Sequence, residues 1–155
     1  MSKVSCRLIT EKDCADVLVW RNDPVTRTMS LSNKVISETE HSKWFRMMLD
    51  SETKIGIIGE VNSSKIGVVF FSVHGCNALV SINLNPLSRG KNLAVILLKE
   101  GIRTMQQMQA QVKRYIAEIK NSNTASIKVF VRNGFILEHQ KDDFSTYYLV
   151  SKFQE

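Results

Sequence analysis

The chain has 155 residues, 43% of them hydrophobic and 23% charged, and its formal net charge is +6 at pH 7. This composition is typical of a globular protein with a buried core, and we predict one domain over residues 1–155. No apolar run approaches the roughly 20 residues that cross a bilayer, and the N-terminus lacks the pattern of a signal peptide. We therefore predict no membrane partner, and the three unpaired cysteines, which are typical of reduced thiols, predict a cytoplasmic protein.

The cysteines, histidines and basic residues narrow the class of ligand. Three scattered cysteines form no C-x-x-C pair and three histidines lack paired spacing, so the sequence predicts neither a disulfide framework nor a metal site. The positive charge favours an anionic partner: nucleic acid, a membrane surface or a phosphorylated small molecule. Because the basic residues are dispersed and no stripe of aromatic residues accompanies them, we predict no nucleic-acid partner and keep a phosphate-bearing ligand open.

The N-terminal third predicts one strand and two helices. Residues 3–9 alternate well enough for a first strand. Thr10 is a typical N-cap for a helix that would run to about Trp20, where the stretch Arg-Asn-Asp-Pro is expected to break it. Ser-Glu-Thr-Glu at residues 37–40 matches a capping box and predicts a second helix over residues 38–50. The apolar face of that helix would carry Trp44, Phe45, Met48 and Leu49.

The middle of the chain predicts three antiparallel strands. Residues 54–61 and 65–73 flank Asn-Ser-Ser, which is a hairpin signal. A turn at residues 74–77 then leads into a strand at residues 78–84.

The C-terminal half alternates helices and strands. A helical pattern begins at Lys91, and the elements that follow are a strand at 112–119, a helix at 123–133, and an antiparallel pair at 135–140 and 145–153. The unit made of the strand at 78–84, the helix after Lys91 and the strand at 112–119 predicts a parallel pair with a right-handed crossover.

A short basic loop, Arg89-Gly90-Lys91-Asn92, joins the third of the antiparallel strands to this helix. The first N–H groups of a helix have no internal partner, and the helix dipole is positive there. Gly90 removes a side chain where a ligand would approach, and the two cationic residues add charge. The loop is therefore either a pyrophosphate cradle or an ordinary surface turn.

A second signal lies one strand and one helix later. Asn123 stands at the start of a predicted helix, Ser126 and Lys128 lie in its first turns, and Gly134-Phe135 closes it. Taken alone, this is a well-capped helix.

Together the two segments resemble the GCN5-related N-acetyltransferase (GNAT) superfamily. Its phosphate loop has Gln or Arg, two residues, Gly, one residue, then Gly or Ala, and residues 89–94 align with Arg89 first, Ala94 last and Asn92 in place of the inner glycine. Asn is the best tolerated replacement for Gly where φ is positive. The positions of the later family motif are occupied by Asn123, Ser126, Phe130, Gly134 and Phe135.

This resemblance implies a fold and a cofactor. The fold is mixed α+β, with a curved, mostly antiparallel sheet of six or seven strands, a central splayed parallel pair and about four helices. The cofactor is acetyl-CoA: its pantetheine would pair with backbone near Leu84 and with Asn123, and its pyrophosphate would lie on the N–H groups of residues 89–94. The implied cofactor-binding residues are Leu84, Arg89, Gly90, Lys91, Asn92, Leu93, Ala94, Asn123, Ser126 and Lys128.

The N-terminal half is similar to a subgroup that acetylates amino-sugar nucleotides in pseudaminic- and legionaminic-type pathways. The similarity lies in Trp-Arg-Asn at residues 20–22 and in Glu-His-x-x-Trp-Phe at residues 40–45, and ribosomal-protein and N-terminal acetyltransferases share a looser version. It implies a small-molecule amine substrate, a nucleotide sugar, contacted by Trp20, Arg21, Asn22, His41 and Trp44.

Each of these residues also has a simpler interpretation. Arg21 would hold a substrate phosphate or carboxylate, or lie on the surface. The two tryptophans would belong to the core. His41 would act as a base or, in the simpler interpretation, be a solvated helix residue. The protein would be a monomer or a homodimer.

The implied chemistry is attack of a neutral amine on a thioester. A lysine amine, with a pKa of roughly 10.4, needs a base, whereas an α-amino group at roughly 7.7–8.0 needs one less, and we expect a sugar amine to resemble the second case. Glu60, at the end of a central strand, is our candidate base, with a solvated strand-end carboxylate as the alternative.

The leaving thiolate also needs a proton. In this family a Tyr usually supplies it, but that position is Phe130 here. Ser126, Tyr147 or Tyr148 would then act, or the thiolate, with a pKa of about 8.5, would leave unassisted. Two other readings stay open: an acceptor that is a protein or antibiotic amine, and a protein that binds acyl-CoA without catalysis.

Overall fold

The computed structural model describes residues 3–152, which contain seven strands and five α-helices. The strands are β1 (Ser5–Leu8), β2 (Lys54–Val61), β3 (Ser64–His74), β4 (Asn77–Leu84), β5 (Arg114–Lys120), β6 (Ile136–Gln140) and β7 (Phe144–Val150). The helices are α1 (Cys14–Asn22), α2 (Pro24–Met29), α3 (Glu38–Asp50), α4 (Leu93–Met108) and α5 (Thr124–Arg132). Short 3-10 helices lie at Glu11–Asp13 and Pro86–Ser88.

All seven strands form one sheet in the order β1-β2-β3-β4-β5-β7-β6. Only the β4–β5 pair is parallel within the described part of the chain. This confirms the predicted mixed α+β class, the mostly antiparallel sheet and the parallel pair joined through a helix. The five helices exceed the expected four by one.

The additional helix is α2, which the sequence reading missed. The sequence predicts only a helix break at Pro24, but this residue stands at the first position of α2, where a missing N–H costs nothing and the fixed φ suits the helix. The Asp23 side chain accepts the Thr26 N–H and caps the helix. The preceding helix also continues past Trp20 to Asn22.

The predicted hairpin between β2 and β3 is confirmed. Its two turn residues, Asn62 and Ser63, both have positive φ, at 51° and 67°. A two-residue loop with both φ values positive matches the right-handed twist of the flanking strands. Phe153, at the end of the predicted last strand, lies outside the described residues, and the prediction of one domain over residues 1–155 stays a prediction.

The parallel pair separates along its length. β4 and β5 are in register over only three pairs, which end at Leu79 and Ile116. Beyond that point β4 stays paired with β3 as far as Leu84, and β5 stays paired with β7 as far as Lys120. The two strands therefore open into a splay at their C-terminal ends, as the family resemblance implied.

The two faces of the sheet carry separate hydrophobic clusters. On one face, α4 and α5 cover the larger cluster, to which the sheet contributes Ile57 and Val69. On the other face, α1 and α3 cover a smaller cluster, to which the sheet contributes the next residues along, Ile58 and Val68. Alternate residues of a strand point to opposite faces, so both faces of these central strands are buried.

Asp13 ties the first strand to this second face. Its side chain is fully buried, and both oxygens accept hydrogen bonds from Arg7 at 2.9 Å. Lys65 Nζ lies 2.8 Å from Asp13, and the Thr10 N–H also donates to it. Burial alone would raise the pKa of Asp13, but the hydrogen bonds from Arg7, Lys65 and Thr10 outweigh it and hold that pKa well below its usual range.

No helix within residues 3–152 combines the length and the apolar character that crossing a membrane requires.

Candidate active site

The basic loop before α4 has the backbone of an anion cradle. Gly90 has a φ of 76° and Asn92 a φ of 57°, so both adopt the left-handed conformation. Asn92 is one of the few residues other than glycine that tolerate it, which agrees with the expectation for this position. The left-handed turn leads directly into the first residue of α4, Leu93.

The N-terminus of α4 lacks the capping that most other helices of this chain possess. Side chains cap α2, α3 and α5, but Asn92 makes no such hydrogen bond to α4, and the first turn of α4 has no acidic residue. The first N–H groups of this 16-residue helix therefore remain available to an anion. Lys91 is exposed beside them, and Ala94 lies in the first turn.

The splay beside this loop leaves backbone edges without a strand partner. Between residues 80 and 84 the edge of β4 that faces β5 makes no ladder, and the same holds for residues 117–120 of β5. Leu84 ends this free edge on β4. An extended ligand with amide groups would satisfy these backbone groups. The residues present therefore fit the pantetheine and pyrophosphate parts of acetyl-CoA.

The other predicted cofactor residues lie after β5. Asn123 Oδ1 accepts the Ser126 N–H at 3.2 Å and so caps α5. Its Nδ2 donates to the Met29 carbonyl at 3.5 Å. Ser126 is half-buried in the first turn of α5, and Lys128 is exposed on the same helix.

The side chain of Arg89 does not extend into the cradle. Its Nη2 donates to Asp23 Oδ2 at 2.5 Å and to Thr26 Oγ1 at 3.0 Å. The family resemblance implies that Arg89 binds the cofactor, whereas the structure joins its side chain to α2.

A cleft of about 310 Å³ lies where the parallel strands separate. Leu79, Val80 and Ser81 of β4 and Ile116 and Glu118 of β5 line it, and it also includes Leu31, Trp44, Met48, Lys54, Phe70, Phe71 and Ser72. Glu118 is the one acidic residue among these lining residues, and we find no ion pair or side-chain hydrogen bond to it within residues 3–152. A second depression, of about 400 Å³, lies on the outer surface of α3, around Glu38 and Arg46, and has no residue of the splay in its lining.

Trp44 lines this cleft and is also in contact with Arg21. The Trp44 ring packs edge-on against Phe70 at 5.2 Å, and the Arg21 guanidinium lies over the Trp44 ring at 4.1 Å. Arg21 is half-buried, and burial lowers its pKa. No carboxylate forms an ion pair with it among residues 3–152.

His41 is in contact with Arg21 and is 1% exposed, so the alternative of a solvated helix histidine is wrong. Its Nε2 is 2.8 Å from the Cys14 carbonyl oxygen, and its Nδ1 is 3.1 Å from Arg21 Nη1. Because the carbonyl only accepts and the guanidinium only donates, His41 is neutral with the hydrogen on Nε2. Burial is the main cause that lowers the pKa of His41, and the charge of Arg21 adds to it.

Trp20 and Asn22 do not line the cleft. Trp20 is 3% exposed within the core under α1 and α3, which is the simpler of its two interpretations. Asn22 makes two hydrogen bonds to the Ile36 backbone, at 2.7 and 2.8 Å, and so closes the segment between them.

The predicted catalytic residues are dispersed. Glu60 lies on β2, which β3 separates from β4, and its carboxylate is 3.4 Å from Arg7 Nε. It does not line the cleft, whereas Glu118, which the sequence reading did not select, does. The available signal for Glu118 was its place on the strand predicted to form one side of the splay.

The candidate proton donors lie in different places, and only Tyr147 among them belongs to the buried residues of the cluster that α4 and α5 cover, as Phe130 does. Phe130, at the family's usual Tyr position, is 2% exposed and packs against Phe135 at 4.9 Å. Tyr147 is 8% exposed and opposite Ala117, the first residue of β5 beyond the parallel pairing. Its neighbour Tyr148 instead lies over the Arg114 guanidinium at 4.6 Å.

The chain is similar to known acetyltransferases in sequence pattern and in fold. A family model described as an acetyltransferase (GNAT) domain matches residues 4–136. The structure of spermidine N-acetyltransferase from Vibrio cholerae in complex with CoA and spermine superposes with a TM-score of 0.84 at 14% identity, over 95% of each chain. A domain from Methanocaldococcus jannaschii has a TM-score of 0.83 at 21% identity, over 97% of this chain and 100% of that one.

The N-acetyltransferase PseH from Campylobacter jejuni has a TM-score of 0.72 at 16% identity, over 96% of this chain and 99% of that one. A search of curated protein sequences finds no match. At these identities the likeness to solved structures shows the fold and does not identify a substrate.

Proposed function

The chain belongs to the GNAT acetyltransferase family, whose members use acetyl-CoA, and from that premise we propose that it acetylates the amine of an amino-sugar nucleotide. Arg21 is the observation that carries this choice of acceptor. A half-buried cation without a carboxylate partner is costly unless a ligand supplies the opposite charge. The diphosphate of a nucleotide sugar supplies this negative charge, and a guanidinium binds phosphate through paired hydrogen bonds.

Cofactor binding rests on backbone more than on side chains. The N–H groups of residues 90–94 receive the pyrophosphate, with Lys91 adding positive charge, whereas the Arg89 N–H is bonded to the Pro86 carbonyl at 3.3 Å. The free edge of β4 near Leu84 pairs with the pantetheine. When bound, acetyl-CoA supplies the acetyl group as a thioester. A backbone N–H near Leu84 donates to the thioester carbonyl as negative charge develops on it.

Glu118 is our candidate for the proton acceptor. It lies on the β5 side of the splay and lines the cleft, so an amine in the cleft reaches both this carboxylate and the opening between the strands. Glu118 would take the amine proton, directly or through water, when the amine attacks the thioester carbonyl carbon and coenzyme A leaves as the thiolate. The base predicted first, Glu60, is engaged by Arg7 instead.

The departing sulfur needs a proton donor other than Phe130. Ser126, in the first turn of α5, and Tyr147, opposite the opened part of β5, remain the two candidates. A thiol pKa of about 8.5 means that the thiolate is a tolerable leaving group even without a donor.

The charges near the cleft argue against a polyamine or an aminoglycoside acceptor. Lys54 lines the cleft, and the Arg21 guanidinium lies over the ring of Trp44, which also lines it, whereas Glu118 supplies the one carboxylate among the lining residues. A substrate with several positive charges would be repelled by the two cations, whereas a phosphate-bearing amine would be attracted by them. We also keep the cytoplasmic location that the unpaired cysteines suggested.

The acceptor proposal is tested by an acetylation assay with UDP-linked amino sugars, spermidine and N-terminal peptides. We expect turnover of a UDP-linked amino sugar, and in Arg21→Gln a KM for it at least about tenfold higher, because a hydrogen bond to a charged group contributes about 1.5–3 kcal/mol. Arg46→Gln, an exposed arginine on α3, is the matched control and should leave KM unchanged. If acetyl-CoA binds but only peptides or spermidine are acetylated, the sugar-nucleotide acceptor is wrong.

A further inference from the structure

The short helix α2 is bonded at its start to the chain that follows β4. Arg89, three residues beyond Pro86, donates from Nη2 to Asp23 Oδ2 at 2.5 Å and to Thr26 Oγ1 at 3.0 Å. Asp23 also accepts the Thr26 N–H at 3.2 Å, so one carboxylate both caps α2 and binds the arginine. The guanidinium therefore contacts two neighbouring groups of the same helix end.

The other end of α2 is bonded to the chain that follows the splay on the β5 side. Lys120, the last residue of β5, donates from Nζ to the Thr28 carbonyl at 3.0 Å. Asn123 Nδ2 donates to the Met29 carbonyl at 3.5 Å. Since β4 and β5 are separated here, α2 links the two sides of the opening across which the sheet itself makes no hydrogen bond.

The same segment shapes the acceptor side of the site. Arg21 immediately precedes Asn22, whose side chain is bonded to Ile36, and Leu31 between them lines the cleft. Arg27 holds the segment together through the Asn22 and Asn33 carbonyl oxygens, at 3.1 and 3.3 Å. We call residues 23–36 the acceptor wall. Because α2 is part of the acceptor wall, a shift of α2 moves this wall relative to the residues of β4 and β5 that line the cleft.

We propose that Arg89 is a positioning residue that couples residues 89–94, which we call the cofactor loop, to the acceptor wall. CoA binding at the cofactor loop then orders α2. The inference rests on the proposed cofactor site but not on the identity of the acceptor. Its physical basis is that a ligand which orders the loop backbone also reduces the motion of Arg89, and the ion pair transmits this restriction to Asp23. Coupling of this kind is reciprocal, so an ordered acceptor wall also favours CoA binding.

The test is amide-resolved hydrogen exchange of the full chain, measured by NMR with and without saturating CoA. In the wild type we expect CoA to slow exchange of the α2 amides by about fivefold or more, the lower end of coupling between two sites. In Arg89→Ala, CoA should still bind but no longer slow exchange at the Asp23 end of α2. Arg103→Ala removes an arginine from an exposed ion pair on α4 and should keep the wild-type effect.

A second variant guards against misfolding and isolates the charge. Asp23→Asn retains a good helix cap but loses the ion pair. We expect it to lose the CoA-dependent protection as Arg89→Ala does, with no further loss in the double variant, because both changes break one interaction. Lys91→Ala, by contrast, should weaken CoA binding and keep the protection once CoA is saturating.

Two results would overturn the coupling. One is full CoA-dependent protection of α2 in Arg89→Ala, and the other is no protection in the wild type although CoA binds. Failure of CoA to bind the wild type would refute the cofactor site and the coupling together. CoA binding without acetylation of any sugar nucleotide would refute only the acceptor, so the failures are distinguishable.

Discussion

Two carboxylates compete for the role of base, and their surroundings differ. Glu60 is within 3.4 Å of Arg7, which in turn binds Asp13, so its charge already has a partner. Glu118 lines the cleft at the splay. Both stand on strands, and no pattern of sequence tells which carboxylate has a cation beside it.

Glu118→Gln is expected to lower kcat at neutral pH by about 10²–10⁴-fold, the usual contribution of a general base, if the acceptor amine must lose a proton in the site. Glu60→Gln removes a carboxylate of the same type from β2 and should leave kcat nearly unchanged. Steady-state kinetics from pH 6 to 9 measures both. Equal losses in the two variants would show that neither carboxylate has a specific role.

His41 offers a pH-dependent test of the Arg21 arrangement. Its pKa is lowered by burial and by the charge of Arg21. The unfolded chain therefore binds a proton to this residue more readily than the folded one, so this contribution to stability is present above about pH 6.5 and is lost as the pH falls.

Nitrogen-15 NMR of the three histidines, with His41→Gln to assign the signal, measures this directly. We expect a neutral Nε2–H tautomer that titrates below about 6.5. In Arg21→Gln the His41 pKa should rise, because one of the two causes that lower it is removed. An Nδ1–H tautomer, or a pKa at or above 6.5, would contradict the hydrogen bonds described for this ring.

The cofactor loop depends on local backbone geometry. Asn92 has a φ of 57° directly before α4, and a β-branched residue is strained in that conformation. Asn92→Val should therefore destabilise the protein by about 1–3 kcal/mol and reduce the rise in melting temperature that acetyl-CoA produces. Asn92→Gly restores the usual family residue and should keep that rise. Loss of the rise in both variants would indicate that the Asn92 side chain itself binds the cofactor.

The helix α2 shows the limit of element prediction from local signals. Pro24 breaks α1 and opens α2 at once, because the same fixed φ that ends one helix suits the first position of the next. Six residues are too few to form a stable helix alone. Arg89 and Lys120, which lie far along the chain, supply the contacts that hold it.

The molecule as a whole depends on a buried charge cluster that joins the N-terminus to the sheet. Asp13→Asn leaves Arg7 and Lys65 without their buried partner, and we expect a loss of about 3–5 kcal/mol in the free energy of unfolding. Asp16→Asn is the matched control: it also pairs with Lys65, at 2.9 Å, but its side chain is 53% exposed, so we expect a loss below about 1 kcal/mol. Chemical denaturation measures both.

The direction in which stability changes with pH follows from Asp13 in the same cluster. The folded pKa of Asp13 lies below the unfolded value of about 3.8, so its stabilisation is present at neutral pH and is lost as the pH falls below about 4. Wild type and Asp13→Asn should therefore become more alike in stability in acid. A constant difference from pH 7 to pH 3 would show that the Asp13 charge is not what stabilises the fold.

The sequence by itself determined most of the elements and their order, because turns, caps and apolar periodicity are local. The motifs at residues 89–94 and 123–135 carried the family resemblance, and that resemblance implied the phosphate loop and the splayed strands. Only the tertiary structure decided that His41 is buried beneath Arg21, that Glu118 rather than Glu60 lines the cleft, and that Arg89 binds α2. These three features depend on which side chains meet across distant segments of the chain. Arg89 and Asp23, for example, are 66 positions apart. An ion pair between such residues leaves no periodic pattern in the sequence.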